Sequence, residues 1–120
     1  MQLLFSKSEE FGHTKGLDIF DGEVIKFDKK KLKVPHIGWN GIIKRKNRFI
    51  PNSLFKQKFY FTHSYYCKPH DNLNIHTETN YGKLKFCSSV VKENIFGTQF
   101  HPEKSGKAGL KLLKELIKII

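Results

Sequence analysis

A chain of 120 residues, 38% hydrophobic and 13% aromatic, is long enough for one small domain with a core and too apolar to be a disordered tail. Its formal charge of +11 invites an anionic partner, but every basic residue except Arg45 and Arg48 is lysine; base readout and bidentate phosphate clamping favour arginine, so the excess reads as a solvated lysine surface and not as a nucleic-acid interface. No apolar run reaches bilayer-spanning length and the first residues lack the zones of a signal peptide, so a cytoplasmic protein with no membrane partner is expected.

The opening MQLLFSKSEEF, residues 1–11, puts Met1, Leu4, Phe5 and Ser8 on one helical face and predicts a short amphipathic helix, with no capping residue before it. Gly12, Gly16 and Gly22 make 12–22 a loop. EVIKF at 23–27 alternates like a strand and runs into a basic turn at 28–33. VPHIGWNGIIKR at 34–45 reads as two short strands around Gly38 and Gly41. KFYFTHSYY at 58–66 is aromatic-rich and bounded by polar residues, which predicts a strand. A turn at 68–72 precedes strands at 73–79, 84–92 and 94–100, separated by Asn80-Tyr81-Gly82 and Glu93-Asn94. In 106–120, Lys107, Lys111, Lys114 and Lys118 form a polar face, while Leu110, Leu112, Leu113, Leu116, Ile117 and Ile120 cover the other side; this is an amphipathic helix suited to packing on a sheet. There is no internal repeat or second domain, and standing alone the order helix, strands, helix is an α+β outline.

Chemistry concentrates at GTQFHPEKSG, 97–106. A strand-like run ends abruptly in His101-Pro102-Glu103. Histidine is the usual general base near neutral pH, and a carboxylate on its far ring nitrogen fixes the tautomer and stabilises the imidazolium. Taken alone, a His-x-Glu pair is as well explained by a surface histidine beside a helix-entry glutamate. Four of the other histidines, His36, His63, His70 and His76, show no zinc spacing, and no HExxH or paired CxxC occurs, so no metal or other cofactor is expected. Cys67 and Cys87 form no CxxC pair and read as unremarkable thiols.

The string GTQFHPEKSG resembles the C-terminal signature of class I (triad) glutamine amidotransferases. VPHIGWN at 34–40, YFTHSYY at 60–66 and MQLLFSKSEEFGHTKGL at 1–17 extend the resemblance over nearly the whole chain, and together are similar to the glutaminase subunits of imidazole glycerol phosphate synthase. The resemblance implies the C-terminal portion of an α/β, flavodoxin-like sandwich, strand-rich with an N-terminal and a C-terminal helix, as one domain part over residues 1–120. It implies hydrolysis of glutamine to glutamate and ammonia, with a cysteine attacking the side-chain amide. By motif position His101 is then the base and Glu103 its orienting acid. Gln2, Ser64 and Tyr65 fall at substrate-binding positions, and Trp39 and Lys104 near the contact with a barrel-shaped cyclase subunit that receives the ammonia in a heterodimer of histidine biosynthesis.

The family's nucleophile elbow, Gly-x-Cys-x-Gly, would directly precede Met1, and the sequence holds no substitute. Cys67 in Tyr66-Cys67-Lys68, Cys87 in Phe86-Cys87-Ser88 and Ser64 in His63-Ser64-Tyr65 all lack the small neighbours that let a strained elbow expose its side chain. The expectation is a catalyst missing one of three parts, inactive and poorly stable in isolation, with an exposed sheet edge. Other readings are a paralogous subunit for surface-sugar biosynthesis, with Lys44, Arg45, Lys46 and Arg48 facing a different partner, and a non-catalytic module that docks on a synthase. The basic, aromatic-interleaved stretch 44–61 gives some basis for a nucleic-acid binder.

Overall fold

The structure is a computed structural model and describes residues 1–46 and 49–119; Arg48 and Ile120 lie outside the described residues. Strands β1 (Phe5–Ser8), β2 (Thr14–Lys15), β3 (Phe20–Lys26), β7 (Tyr65–Pro69), β9 (Leu84–Lys92), β8 (Ile75–Tyr81) and β5 (Ile43–Lys44) form one sheet in the order β2-β1-β3-β7-β9-β8-β5, with β10 (Ile95–Thr98) also on β9. Strands β4 (His36–Gly41) and β6 (Lys58–His63) make a separate two-stranded sheet, and helix α1 (Gly106–Ile117) follows. β1 and β3 run parallel, while the other described pairings are antiparallel. This strand-rich mixed sheet with a C-terminal helix fits the α/β class expected from the sequence. No helix among the described residues is long and apolar enough to cross a membrane.

The expected N-terminal helix is absent. Gln2–Leu4 form one 3-10 turn, and Phe5–Ser8 become strand β1. A single uncapped turn is too short to hold a helix by itself, since nucleation fixes several residues for one hydrogen bond. The competing offer is large: Phe5 is fully buried, its ring stacks on Phe20 at 5.7 Å, and its backbone pairs with β3. The loop expected at 12–22 also yields strand residues at both ends, Thr14–Lys15 and the start of β3.

Strands 84–92 and 94–100 agree closely with β9 and β10, and the turns around Gly82 and Glu93 lie where the sequence puts them. Gly82 adopts φ +59, and a Cβ there would come within 2.6 Å of Leu32, so the hairpin needs glycine. β9 is buried continuously from Phe86 to Val91 because the sheet is covered on both faces. Phe27, Phe59, Phe61, Phe86, Phe100 and Leu112 fill one core; Phe5, Phe20, Val24, Cys67, Cys87 and Val90 fill the other.

The single strand expected at 58–66 is two strands in different sheets. β6 pairs with β4, β7 pairs with β3 and β9, and Ser64 is the corner. Aromatic alternation continues through the corner, so periodicity cannot reveal it. The reading of two strands over 34–45 holds, but the first passes straight through Gly38 to Gly41.

Helix α1 packs by a narrower stripe than its sequence suggests. Leu112 and Gly109 are buried and Ala108 and Leu116 partly so, whereas Leu110 and Ile117 are 54% and 69% exposed. The stripe is narrow because the helix lies tight against the turn Pro102–Lys104. A Cβ on Gly109 would sit 1.8 Å from the Pro102 carbonyl oxygen. Gly109→Ala should therefore force the helix off that turn and destabilise the chain by about 1–3 kcal/mol, or roughly 5–15 °C in melting temperature. A thermal melt of this variant within about 1 °C of the parent would show that the packing is not tight in solution.

Candidate active site

β10 ends at Thr98, and the chain turns through Gln99 and Phe100 to His101. Two hydrogen bonds attach this turn to β6: the His101 N–H donates to the Tyr60 carbonyl at 2.9 Å, and the Tyr60 N–H donates to Ser105 Oγ at 3.0 Å. Ser105 Oγ in turn donates to the His101 carbonyl at 2.6 Å, and the Gly109 N–H donates to the Ser105 carbonyl. The start of α1, the His101 turn and the middle of β6 thus form one unit around buried Ser105.

Inside that unit His101 Nδ1 lies 2.9 Å from Glu103 Oε1. A carboxylate accepts only, so His101 carries its neutral-state proton on Nδ1 and Nε2 is the nitrogen able to take another. The Glu103 carboxyl is held below the usual carboxylate range, chiefly by a hydrogen bond from its own backbone N–H and further by His101. The geometry is that of a base with its orienting acid.

The dyad opens onto a cleft of about 670 Å³ whose lining includes Gln2, Ser64 and Tyr65. These are the residues that the family resemblance puts at substrate-binding positions. Gln2 Nε2 donates to the Tyr65 carbonyl at 2.9 Å and to Gln99 Oε1 at 3.0 Å, which ties the first turn of the chain to the β6–β7 corner and to the residue before Phe100. Neither cysteine reaches this cleft. Cys67 and Cys87 face each other in register between β7 and β9, inside the second core, and remain free thiols. Burial pushes the Cys67 thiol up to about 12 and Cys87 higher still, so neither offers a thiolate at neutral pH.

Trp39 and Lys104, distant in sequence, are linked in the structure through Tyr60. Trp39, 51% exposed, is the register partner of Tyr60, and the two rings lie 5.8 Å apart. Tyr60 is the same residue whose backbone brackets the turn that carries Lys104. The basic group is more scattered: Lys44 donates to Asn52 Oδ1 and Arg45 pairs with Glu78 at 3.5 Å. No cluster of three or more His, Cys, Asp or Glu side chains able to hold a metal occurs among the described residues.

Sequence reading missed Ser105, Gln99 and a buried histidine pair. His36 Nδ1 lies 2.9 Å from His63 Nε2, and His63 Nδ1 lies 2.7 Å from the Tyr65 carbonyl. Ser105 could have been noticed as the residue ahead of the helix. The histidine pair left no signal, since 27 positions separate its members.

Residues 1–119 match the family described as Glutamine amidotransferase class-I, and the chain belongs to that family. It is 46% identical to the imidazole glycerol phosphate synthase subunit HisH of Chlorobaculum tepidum over 115 residues, and 50% identical to that of Pyrococcus furiosus over 115 residues. The same subunit of Methanosarcina barkeri is 49% identical over 122 residues. These alignments cover 95–97% of this chain but only 57–58% of the relatives, so the chain spans a little over half their length.

Two outcomes follow from the geometry. Ser105→Ala removes both the acceptor for the Tyr60 N–H and the donor to His101, and should cost about 1–3 kcal/mol. Amide exchange at Tyr60 and His101 should accelerate; unchanged exchange at both would mean that Ser105 does not hold the turn. The second concerns acid. Burial pushes His63 down to about 4, with the bond to the Tyr65 carbonyl opposing and His36 and His101 adding to the depression. An unfolded histidine protonates near about pH 6.5. Between those values the unfolded chain binds more protons, so stability is full above about pH 6.5 and is lost as pH falls toward about 4. Melting temperatures across this window should fall with acidification, and the slope should flatten in His63→Leu.

Proposed function

We propose that this chain is the C-terminal part of the glutamine amidotransferase domain of an imidazole glycerol phosphate synthase glutaminase subunit. In the whole protein it hydrolyses glutamine to glutamate and ammonia and delivers the ammonia to a cyclase subunit in histidine biosynthesis. The observation that carries this reading is the His101–Glu103 pair at 2.9 Å, opening onto a cleft that also contains Gln2, Ser64 and Tyr65. The similarity to HisH subunits supports the particular pathway.

In this reading a cysteine supplied by sequence outside these 120 residues attacks the side-chain carbonyl carbon of glutamine. His101 Nε2 takes the thiol proton and gives it to the departing nitrogen as the C–N bond breaks, leaving a glutamyl thioester and ammonia. Water then attacks the thioester, His101 accepts its proton, and glutamate leaves as the thiol re-forms. Glu103 keeps the ring in the Nδ1–H tautomer and stabilises the imidazolium in both halves. Gln2, Ser64 and Tyr65 hold the substrate.

Trp39 and Lys104 form part of the face for the cyclase partner. Tyr60 makes that assignment mechanically attractive, because pressure on Trp39 bears on the residue that brackets His101. The reading carries a heterodimer and a cytoplasmic location with it.

The test joins the 120 residues, in frame, to the part of the Pyrococcus furiosus subunit that they do not match and adds a cyclase subunit. Glutamine should be converted to glutamate, His101→Ala should lower turnover by about 10²–10⁴-fold, and growth of a histidine auxotroph should be restored. The 120 residues alone should release no ammonia above background. Turnover by the isolated chain that disappears in His101→Ala would defeat the proposal, and rescue of surface-sugar synthesis without histidine rescue would reassign the pathway.

A further inference from the structure

β4 and β6 alternate strictly. His36 and Asn40 on β4, and Phe59, Phe61 and His63 on β6, turn inward, while Ile37, Trp39, Tyr60 and Thr62 turn outward. The inward polar groups form a chain: Asn40 Oδ1 to His36 Nε2 at 2.8 Å, His36 Nδ1 to His63 Nε2 at 2.9 Å, and His63 Nδ1 to the Tyr65 carbonyl at 2.7 Å. His36 is 2% and His63 8% exposed, within a shell of Phe27, Phe61 and Phe86. Three contacts need three hydrogens, and the Tyr65 carbonyl can only accept.

Two neutral imidazoles bring two hydrogens between them. If Asn40 also presents an oxygen, both ends of the chain are acceptors and the third hydrogen has to be an extra proton, giving a buried imidazolium. Such a charge hydrogen-bonds to no carboxylate; titratable groups around the pair include Tyr81, stacked on His36 at 4.0 Å, Tyr66 beyond Phe27, and His101. Taking an unpaired charge out of water is the costlier choice. Reversing the Asn40 amide removes the conflict, since oxygen and nitrogen of an amide occupy equivalent positions and are assigned by the hydrogen-bond network.

We propose that Asn40, His36 and His63 are positioning residues: the Asn40 amide N–H donates to His36 Nε2, both rings are held as neutral Nδ1–H tautomers, and His63 therefore donates to the Tyr65 carbonyl at the wall of the candidate cleft. That carbonyl also receives Gln2, so its two acceptor directions are filled and the Ser64 corner is fixed from both sides. The direction of every hydrogen in the chain is set by one amide on β4. The role in glutamine binding rests on the function proposed above, whereas the tautomers do not.

Long-range nitrogen–proton NMR of the His36 and His63 rings in the joined protein of the preceding test checks the assignment near neutral pH. Both Nδ1 atoms should give protonated-type signals and both Nε2 atoms bare-type signals. In Asn40→Asp, which is isosteric but accepts only, His36 Nε2 should become protonated and the pair should carry one additional ring hydrogen. A doubly protonated ring in the parent protein, or a His36 that carries its hydrogen on Nε2, would overturn the proposal. So would Asn40→Asp spectra identical to the parent. In the joined enzyme described above, His63→Leu should raise the glutamine KM by about tenfold with kcat little changed, and His63→Asn, whose amide can still donate to Tyr65, should restore it. Equal KM values in all three overturn the positioning role. Failure of the parent joined enzyme to use glutamine would count against the proposed function and leave the ring assignments to stand or fall on the spectra.

Discussion

The cleft depends on one backbone position. Tyr60 donates its N–H to Ser105 Oγ and its carbonyl accepts from the His101 N–H, so a residue in mid-strand holds both ends of the turn that carries His101. Strand β6 is itself an edge of a two-stranded sheet, and such a ribbon has little stability of its own. The buried side chains Phe59 and Phe61 lock it into the phenylalanine core, with Phe59 and Phe100 rings 4.6 Å apart. His101 is therefore positioned by core packing transmitted through two hydrogen bonds of the Tyr60 backbone. Glycine at 109 completes the device by letting α1 close on Pro102.

The same residue type performs opposite tasks a short distance apart. His101 is part-exposed and its Nδ1 faces a carboxylate. His63 is buried among aromatic rings and faces a carbonyl and another histidine, which favours permanent neutrality. A neutral ring can be a fixed hydrogen-bond donor, and His63 faces the Tyr65 carbonyl at the corner that lines the cleft. The two cysteines make the parallel point. Both are intrinsically reactive groups, and their place between β7 and β9 makes them small core residues.

Secondary structure was legible where local preference and burial agree. β9 and β10, their turns and the C-terminal helix were all visible, because alternation, turn residues and lysine spacing point to what the tertiary structure uses. The N-terminal segment failed because the burial of Phe5 against Phe20 overrode a short, uncapped helical pattern. The strand at 58–66 failed in a different way: its residues are strand formers throughout, and nothing local marks Ser64 as the point where the chain changes sheets.

The sequence by itself determined the pairing at the heart of the candidate site. His101 and Glu103 are two positions apart, so their pairing is a local matter that residue type and spacing can express. The motif string likewise carried the family without any coordinates. Only the tertiary structure decided that Gln2, Tyr65 and Gln99 share hydrogen bonds, that Trp39 leans on the residue bracketing the base, and that His36 and His63 are one buried unit. Those relations join residues from different strands and both sheets. Sequence periodicity reports which way a side chain faces, but not which distant strand it will face, and that choice is made by packing the core.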